Sequence, residues 1–312
     1  MKEKIRVALL AGGKSAEREV SLNGAVGVEA ALDREKYEIR RYDPATDLVK
    51  LAVDAPELDV AFILLHGPLG EDGTMQGFLD LLELPYQGSG VLGSALAMNK
   101  NLAKILYRQA GLKVADWLMV SPGDENQLDP LLEKISLPLV IKPVHQGSSV
   151  GMSIARTPGE LKTGLDKAFI YDREVMLEEY IEGREITGGV IGNDDVTSLP
   201  LVEIIPGSDH PFFDYEAKYT EGASREICPA DLSNDITARA RQNAVKAHEV
   251  LQLRGYSRTD MIVSQNDEIF IIETNTIPGM TPTSLLPQAA QAHGLSFSEL
   301  LDRLFSLALE KK

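Results

Sequence analysis

The sequence contains a single cysteine and no long hydrophobic run. One thiol, Cys228, forms neither an internal disulfide nor a cysteine metal cluster, and this favours a reducing compartment. The longest apolar stretches, such as residues 60–65, are far shorter than the ~20 residues that a membrane-spanning helix needs. The first residues, MKEKIRVALLAGG, are interrupted too soon for a secretory signal. We therefore expect a cytoplasmic protein with no membrane partner.

Basic residues are also fewer than acidic residues. The 31 lysines and arginines are outnumbered by 47 acidic residues, which gives a formal net charge of -16. A protein of this charge repels a nucleic-acid backbone and an anionic membrane surface, so we expect no nucleic-acid partner. With 44% hydrophobic and 25% charged residues, the 312-residue chain has a globular composition and the length of two or three structural units.

Two common nucleotide-binding motifs are absent after the first predicted strand. Residues 12–15, GGKS, look like the end of a Walker A loop, but that motif needs a glycine where the chain has Ala8. The pattern GxGxxG is also missing, which argues against a dehydrogenase. The glycine pair still predicts a tight turn before a helix, with or without a ligand. Glu17, in the first helical turn, is either a surface residue or an anchor for a substrate ammonium, and local sequence alone favours the surface.

Strands alternate with helices from residue 5 to about residue 93, which predicts a Rossmann-like parallel sheet. Beyond this point, a helix at residues 101–109 and strands such as LPLVIKP indicate a second, α+β unit. From about residue 185 the chain is rich in predicted strands and then in helices. The predicted fold is therefore α/β with α+β parts, in three domains at residues 1–93, 94–184 and 185–312.

Two loops that follow predicted strands are candidates for ligand contacts. His66 ends an apolar strand and opens the loop HGPLGEDG, at the edge of the sheet where open α/β folds bind ligands. A structural role for this histidine is equally compatible with its position. Lys142 precedes the loop HQGSSVG, whose backbone N–H groups suit phosphates. An ordinary hairpin turn is the alternative for that loop.

The strongest pattern is a hairpin that opposes two acidic side chains. The strands on either side of residues 266–267 predict a short, even-numbered loop, in which paired residue numbers sum to 533. Asp260 then lies across from Glu273, and Arg258 across from Asn275, on one face of the sheet. Opposed carboxylates are unfavourable unless they are neutralised, and Mg²⁺ neutralises them directly. The pattern therefore favours a metal site over a solvated acidic face.

The loop after this hairpin, residues 276–285, contains Gly279, which allows a close approach of the backbone to a ligand. A helix is predicted to begin near Ser284, and this serine is a natural N-cap. A helix start beside a metal also suits a substrate carboxylate. Both roles are compatible.

Seven segments in order resemble the D-alanyl-D-alanine ligase family of the ATP-grasp superfamily, along nearly the whole chain. They are GGKSAEREVSL (12–22), HGPLGEDGTMQG (66–77), MNK (98–100), VIKPVHQGSSVGM (140–152), FDYEAKY (213–219), GYSRTDMIV (255–263) and ETNTIPGMTPTSLLPQAA (273–290). The resemblance implies an ATP-grasp fold with an N-terminal Rossmann-like domain. It also implies ATP-dependent, ADP-forming ligation of two D-alanines through a D-alanyl phosphate, for peptidoglycan precursor synthesis.

The resemblance also implies binding residues for ATP and metal. The residues expected at the ATP phosphates are Lys100, Lys142 and Lys218. Those expected at adenine and ribose are Glu178, Ile181 and Glu185. The expected ligands of two Mg²⁺ or Mn²⁺ ions are Asp260, Glu273 and Asn275, in agreement with the hairpin register.

Further residues are implied for the two D-alanine molecules. The first ammonium would be bound by Glu17 with support from Ser148 and Tyr219, with His66 nearby. The second carboxylate would be received by Ser284 and Leu285. The oxyanion of the tetrahedral intermediate would be stabilised by Arg258 and the N–H of Gly279. The Ser148 loop and the aromatic loop at 212–219 are the expected lids, and the family implies a homodimer.

Some departures and rivals remain. MNK replaces the commoner MDK, and Glu179 stands where many relatives carry a lysine beside adenine. Tyr219 accompanies D-alanine as second substrate in the family, whereas phenylalanine accompanies D-lactate, so we expect a dipeptide product. Other ATP-grasp ligases, such as D-lactate or D-serine enzymes, would share the ATP half. An inactive nucleotide-binding protein is a rival of another class, but such proteins tend to lose the metal carboxylates that are present here.

Overall fold

The computed structural model of the protein describes residues 4–207 and 224–310. Within this part, the strands form three sheets. The elements of the first unit are β1 (Ile5–Leu10), α1 (Arg18–Ala31), β2 (Tyr37–Tyr42), α2 (Leu48–Asp54), a 3₁₀ helix (Ala55–Glu57), β3 (Val60–Ile63) and α3 (Thr74–Leu81). Its sheet is parallel in the order β2-β1-β3. This is the Rossmann-like unit that the sequence predicts.

The second sheet is antiparallel and has a helix on one face. Its unit consists of α4 (Val91–Met98), α5 (Lys100–Gln109), β4 (Trp117–Val120), a 3₁₀ helix (Asp124–Asn126), α6 (Leu128–Leu132), β5 (Leu139–Pro143), β6 (Ser153–Ala155), α7 (Pro158–Ala168) and β7 (Val175–Glu179). The strand order is β4-β7-β5-β6. Helix α7 packs on the face that buries Ile141 and Leu177. Because side chains alternate along a strand, Val140, Lys142 and Glu178 lie on the opposite face.

The third sheet is antiparallel and carries the predicted acidic hairpin. Its elements are β8 (Gly183–Gly192), β9 (Thr197–Ser198), β10 (Val202–Pro206), β11 (Ser224–Ile227), α8 (Asn234–Val250), β12 (Gly255–Ser264) and β13 (Ile269–Asn275). The strand order is β11-β10-β8-β12-β13, with β9 on β8. Helix α8 lies close to β8 because Gly188 has no side chain; a Cβ there would lie 2.8 Å from that of Ala244.

The last described helices, α9 (Leu285–Ala292) and α10 (Phe297–Leu309), pack back against the first sheet. The ring of Phe305 lies 5.2 Å from that of Phe62 and 4.8 Å from that of Tyr37. Helix α10 also contacts β12, so the first and third sheets share one core. The loops after β1 and β3 are thereby held beside the hairpin. Among the described helices, none is long and apolar enough to cross a membrane.

The hairpin register is confirmed at the site and differs near the turn. Asp260 pairs with Glu273 and Arg258 with Asn275, as predicted. The even-numbered loop was wrong, because residues 265–267 form a three-residue loop in which Asp267 has a left-handed φ of 59°. A β-bulge after Asp260 absorbs the extra residue on β13. Beyond the bulge, paired numbers sum to 532, as in Met261 with Ile271.

Candidate active site

A polar cavity of about 450 Å³ lies where the turn after β1, the loop after β3 and the β12–β13 hairpin meet. Several predicted site residues line it together. They are Glu17, His66, Ser148, Arg258, Asn275, Gly279, Ser284 and Leu285. Lys218 and Tyr219, with the predicted lid at 212–219, lie outside the described residues. We call this space the substrate cavity.

Glu17 lies at the base of the substrate cavity and is only 5% exposed, so the surface interpretation was wrong. Glu17 occupies the N-cap position of α1. The side chain of its neighbour Arg18 is more exposed and pairs with Asp43. The Ser148 hydroxyl donates a hydrogen bond to the Glu17 carboxylate. A Cβ at Gly67 would lie 3.1 Å from Glu17 Oε2, and one at Gly147 would lie 3.3 Å from it. Glycines therefore let two backbone segments close around this carboxylate.

The turn that carries Glu17 is fixed by an ion pair. Gly12 and Gly13 have φ angles of 98° and 78°, which favour glycine. Asp43 accepts hydrogen bonds from the N–H of Gly13 at 2.9 Å and from Arg18 at 2.6 Å. The hydrogen bond from Arg18 is the main reason that the pKa of Asp43 falls to about 2. The glycine pair thus serves as a rigid turn that orients the start of α1.

His66 and Glu71 are both buried, and the charge of Glu17 acts on each of them. Strand β3 ends at Ile63, so His66 lies three residues beyond the strand, not at its end. Burial lowers the pKa of His66, which is therefore neutral near pH 7. Burial and then the charge of Glu17 raise the pKa of Glu71 to about 8, although the Gly67 N–H donates to this carboxyl at 2.7 Å. Sequence reasoning did not identify Glu71 as a site residue. The feature that could have identified it is its position four residues after Gly67.

The three predicted metal ligands come together on the hairpin. Asp260 accepts two hydrogen bonds from Arg258, at 2.9 and 2.8 Å, and lies 3.3 Å from Asn275 Nδ2. Glu273, directly across from Asp260, lies 3.6 Å from Lys100 Nζ. Two carboxylates and an amide oxygen form an oxygen donor set of the kind that Mg²⁺ prefers. Among the described residues, no group of three or more acidic, histidine or cysteine side chains could hold a metal ion, so water or ligand oxygens would have to supply the remaining ligands of such a site.

A second cavity lies between the faces of the second and third sheets. Its apolar lining includes Val140, Met152, Ile154, Ile262 and Ile272. The lining also includes all the described residues predicted for ATP, which are Lys100, Lys142, Glu178, Ile181 and Glu185. It reaches Asp260 and Glu273, where it approaches the substrate cavity. We call this space the nucleotide cavity, because its apolar slot suits a flat ring and its cations suit phosphates.

Glu178 is buried in the wall of the nucleotide cavity between two lysines. One carboxylate oxygen contacts Lys104 Nζ and the other contacts Lys142 Nζ. Burial alone would raise the pKa of Glu178, but the two ammonium groups lower it to about 2. Lys104 was not predicted from the sequence. The feature that could have identified Lys104 is its position four residues after Lys100, which places both lysines on one face of α5.

The loop at residues 145–151 spans both cavities. At its start, Asp172 accepts hydrogen bonds from the His145 backbone N–H at 2.7 Å and from the His145 ring at 3.0 Å. Further along, Ser148 reaches the substrate cavity, and Ser149 lines the nucleotide cavity. Both serines have left-handed φ angles, 46° and 59°. An anchored start followed by small residues is the arrangement expected of a loop that covers ligands.

The loop before α9 brings a helix start to the substrate cavity. Ser284 occupies the N-cap position, but its side chain makes no capping hydrogen bond. Its hydroxyl instead accepts from the Thr281 N–H at 3.1 Å and lies 2.8 Å from the Thr281 hydroxyl. A Cβ at Gly279 would lie 2.9 Å from Ser284 Oγ, so only glycine fits without movement. The start of α9, at Ser284 and Leu285, therefore lines a cavity that Arg258 also lines.

Comparisons with known proteins agree with this architecture. Residues 43–89 match the family model for the D-ala D-ala ligase N-terminus, and residues 106–306 match that for the C-terminus. A D-alanine–D-alanine ligase of Syntrophobacter fumaroxidans is 60% identical over 308 residues, which cover 99% of each chain.

Two solved structures have the same fold. The D-alanine–D-alanine ligase of Bacillus anthracis complexed with ATP matches with a TM-score of 0.85 and 33% identity, over 98% of this chain and 97% of that one. The VanG D-Ala:D-Ser ligase of Enterococcus faecalis matches with a TM-score of 0.84 and 31% identity, over 98% and 100%. Such closeness shows that the fold does not separate these two ligase activities. By sequence and by fold, the chain belongs to the D-alanine–D-alanine ligase family.

Proposed function

We propose that the protein joins two D-alanines into D-alanyl-D-alanine at the expense of ATP, for peptidoglycan precursors. One observation supports this above the others: a nucleotide cavity and a substrate cavity approach each other at the Asp260–Glu273 pair. A carboxylate has no leaving group at neutral pH, so its activation by ATP requires the phosphates and the acid to meet. The hairpin is the place where they would meet.

ATP would lie with adenine between the two sheets and its phosphates near Lys100 and Lys142. Asp260, Glu273 and Asn275 would hold two Mg²⁺ ions, with Mn²⁺ as an alternative. When bound, the metal would neutralise charge on the transferred phosphoryl group. Lys100 supports this placement because its ammonium already lies 3.6 Å from Glu273.

The first D-alanine would bind through its ammonium to Glu17, with Ser148 holding that carboxylate in place. Its own carboxylate oxygen would attack the γ-phosphorus, so that an O–P bond forms and the bond to ADP breaks. The product is a D-alanyl phosphate. Closure of the 145–151 loop over both cavities would protect this intermediate from water. The neutral His66 would line the same cavity without competing for the ammonium.

The second D-alanine would place its carboxylate at the start of α9, near Ser284 and Leu285. Its amine would attack the acyl phosphate carbon and displace phosphate. Arg258 and the N–H of Gly279 would stabilise the tetrahedral oxyanion, a role in which the loss of one donor costs about 3 kcal/mol. The contact between Arg258 and Asp260 links this step to the metal residues.

Three further expectations complete the proposal. We infer domains at residues 1–93, 94–184 and 185–312. Each range contains the strands of one sheet, except that β8 of the third sheet begins at Gly183, inside the second range. We infer a cytoplasmic homodimer, on the basis of the family. Leu81, Val91 and Leu92 support association because they expose large apolar side chains on α3 and α4.

The test is phosphate release from Mg·ATP by the purified protein, with D-alanine alone or with D-alanine paired with L-alanine, D-serine or D-lactate. We expect release with D-alanine alone and a dipeptide product by mass spectrometry. A higher rate with D-serine or D-lactate than with D-alanine would contradict the substrate assignment. ATP binding without release for any pair would contradict the proposed reaction.

A further inference from the structure

Lys104 contacts Glu178 from behind the wall of the nucleotide cavity. Its side chain is 1% exposed, and it is not among the described residues that line that cavity. Lys142, on the other side of Glu178, does line the cavity and is 10% exposed. The two lysines therefore contact different oxygens of one carboxylate, and of the two only Lys142 lines the cavity.

The Lys104 ammonium is fixed by its surroundings. It lies 5.1 Å from the centre of the Trp117 ring, and that ring is held by a hydrogen bond from its indole N–H to Asn101 at 2.8 Å. Burial lowers the pKa of Lys104, and contact with Glu178 opposes that shift. Burial also acts on Lys142, but attraction to Glu178 keeps the pKa of Lys142 above its ordinary value. Lys142 is thus a charged group with an opening toward the cavity.

A polyphosphate in the nucleotide cavity would compete with Glu178 for Lys142. Without a second cation, the departure of Lys142 would leave a buried carboxylate without a counter-ion, which is strongly unfavourable. We propose that Lys104 is a positioning residue for the nucleotide: it keeps Glu178 ionised and in place while Lys142 transfers from Glu178 to the phosphates. This inference rests on the proposed function, since it requires a nucleotide in this cavity.

The first test compares two ligands in the Lys104→Met variant. Methionine keeps the length and apolar stem of the side chain but removes its charge. We expect the Kd for Mg·ATP to rise at least about 10-fold, because ATP draws Lys142 away, and the Kd for adenosine to change less than about 2-fold. Calorimetry with both ligands gives the ratio. Equal losses for ATP and adenosine would overturn the proposal, since a packing defect affects both alike.

The second test uses a Glu178→Gln background and stays informative if the single variant does not fold. With a neutral side chain at 178, Lys104 has no carboxylate to hold. Lys104→Met should then change the Kd for ATP by less than about 2-fold. A further loss of about 10-fold in this background would contradict the proposal.

Lys113→Met is the matched control. Lys113 also pairs with a glutamate, Glu268, and lies 4.8 Å from the centre of an aromatic ring, that of Phe270, but it is 47% exposed. Its ATP affinity should equal that of the wild type. If the wild type itself neither binds ATP more tightly than adenosine nor releases ADP with D-alanine, the proposed function fails and this inference with it.

Discussion

Glu178 and Glu71 are both buried glutamates, one in the wall of each cavity, and their pKa values shift in opposite directions. Burial tends to raise both pKa values, because it disfavours the charged form. Beside Glu178 stand two ammonium groups, and its pKa falls to about 2. Beside Glu71 stands the carboxylate of Glu17, and its pKa rises to about 8. A Cβ at Gly147 would lie within 4 Å of oxygens from both Glu17 and Glu71, so these carboxyls converge.

Under the proposed function, this difference indicates how each cavity would select its ligand. In the nucleotide cavity, Lys104 and Lys142 both contact Glu178, and under the proposal a phosphate would have only to attract Lys142. In the substrate cavity, two converging carboxyls favour a ligand that brings a positive charge. An amino acid ammonium meets that requirement, and the neutral His66 does not. The nucleotide cavity thus holds a carboxylate that contacts two lysines, whereas the substrate cavity holds two converging carboxyls together with Arg258.

The largest effect is expected at the boundary between the cavities. Glu273→Gln removes one of two opposed carboxylates and should lower kcat by about 10³-fold, because the proposed metal and the transferred phosphoryl group would both depend on it. Steady-state ADP release at saturating substrates measures the change. Glu268→Gln, in an exposed ion pair near the same hairpin turn, is the control and should retain full activity. A normal kcat in Glu273→Gln would show that the hairpin takes no part in the reaction. It would also contradict the view that the two cavities cooperate there.

Glu17→Gln tests whether the two cavities are separate in function. Loss of the carboxylate should raise KM for D-alanine by about 10²-fold, because a charged hydrogen bond to an ammonium is lost. KM for ATP should change less than about 2-fold, because Glu17 does not line the nucleotide cavity. Glu29→Gln, near the other end of α1 in a surface pair with Arg41, is the matched control. Equal effects on both KM values would show that the cavities do not select ligands independently.

Local patterns in the sequence predicted the parts of the site that lie within one element or one hairpin. Alternation along β12 and β13 placed Asp260 across from Glu273, even though the loop has an odd number of residues, because the bulge after Asp260 restores the register. Local patterns did not predict which polar side chains are buried. Glu17 looks like a surface residue at a helix start, and its burial depends on Gly67 and Gly147, which come from distant loops. Tertiary packing decides such cases.

Lys104 and Glu71 were missed for the same physical reason. A lysine in a charged helix and a glutamate in a polar loop are ordinary surface residues in any local window. Each acquires its role only from a partner far along the chain, Glu178 in one case and Glu17 in the other. The resemblance to a known family did identify Lys142 and Glu178 as candidate ATP-binding residues. It did not show that the two are paired before a nucleotide binds.

A smaller change confined to the substrate cavity is Gly279→Ala. The added methyl would lie 2.9 Å from Ser284 Oγ, so the loop must shift by a few tenths of an ångström. We expect kcat to fall by about 10-fold, with KM for ATP unchanged, because the oxyanion donor is displaced. Gly159→Ala is the control, since a Cβ there meets no heavy atom within 4 Å. An equal loss of ATP affinity would mean that this loop also supports the nucleotide cavity.

The two buried glutamates should also respond oppositely to pH when no ligand or metal is present. The folded-state pKa of Glu71 is raised to about 8, so the native protein holds a proton that the unfolded chain has lost above its ordinary pKa of 4.5. Its contribution to stability is present below pH 4.5 and is lost as pH rises to about 8. The pKa of Glu178 is lowered to about 2, so its contribution is present above pH 4.5 and is lost as pH falls toward 2.

Glu71→Gln keeps the size of the side chain and cannot ionise, so it isolates the alkaline half of this comparison. The wild type should lose stability between pH 5 and pH 9, and the variant should lose about 1 kcal/mol less, since water and local relaxation weaken both the burial cost of the Glu71 charge and its repulsion from Glu17. Urea unfolding in EDTA at both pH values measures the difference. Glu178→Gln is the counterpart and should leave this alkaline loss unchanged. If Glu71→Gln loses as much stability as the wild type, Glu71 releases no proton between pH 5 and pH 9 on unfolding, and the contrast with Glu178 fails.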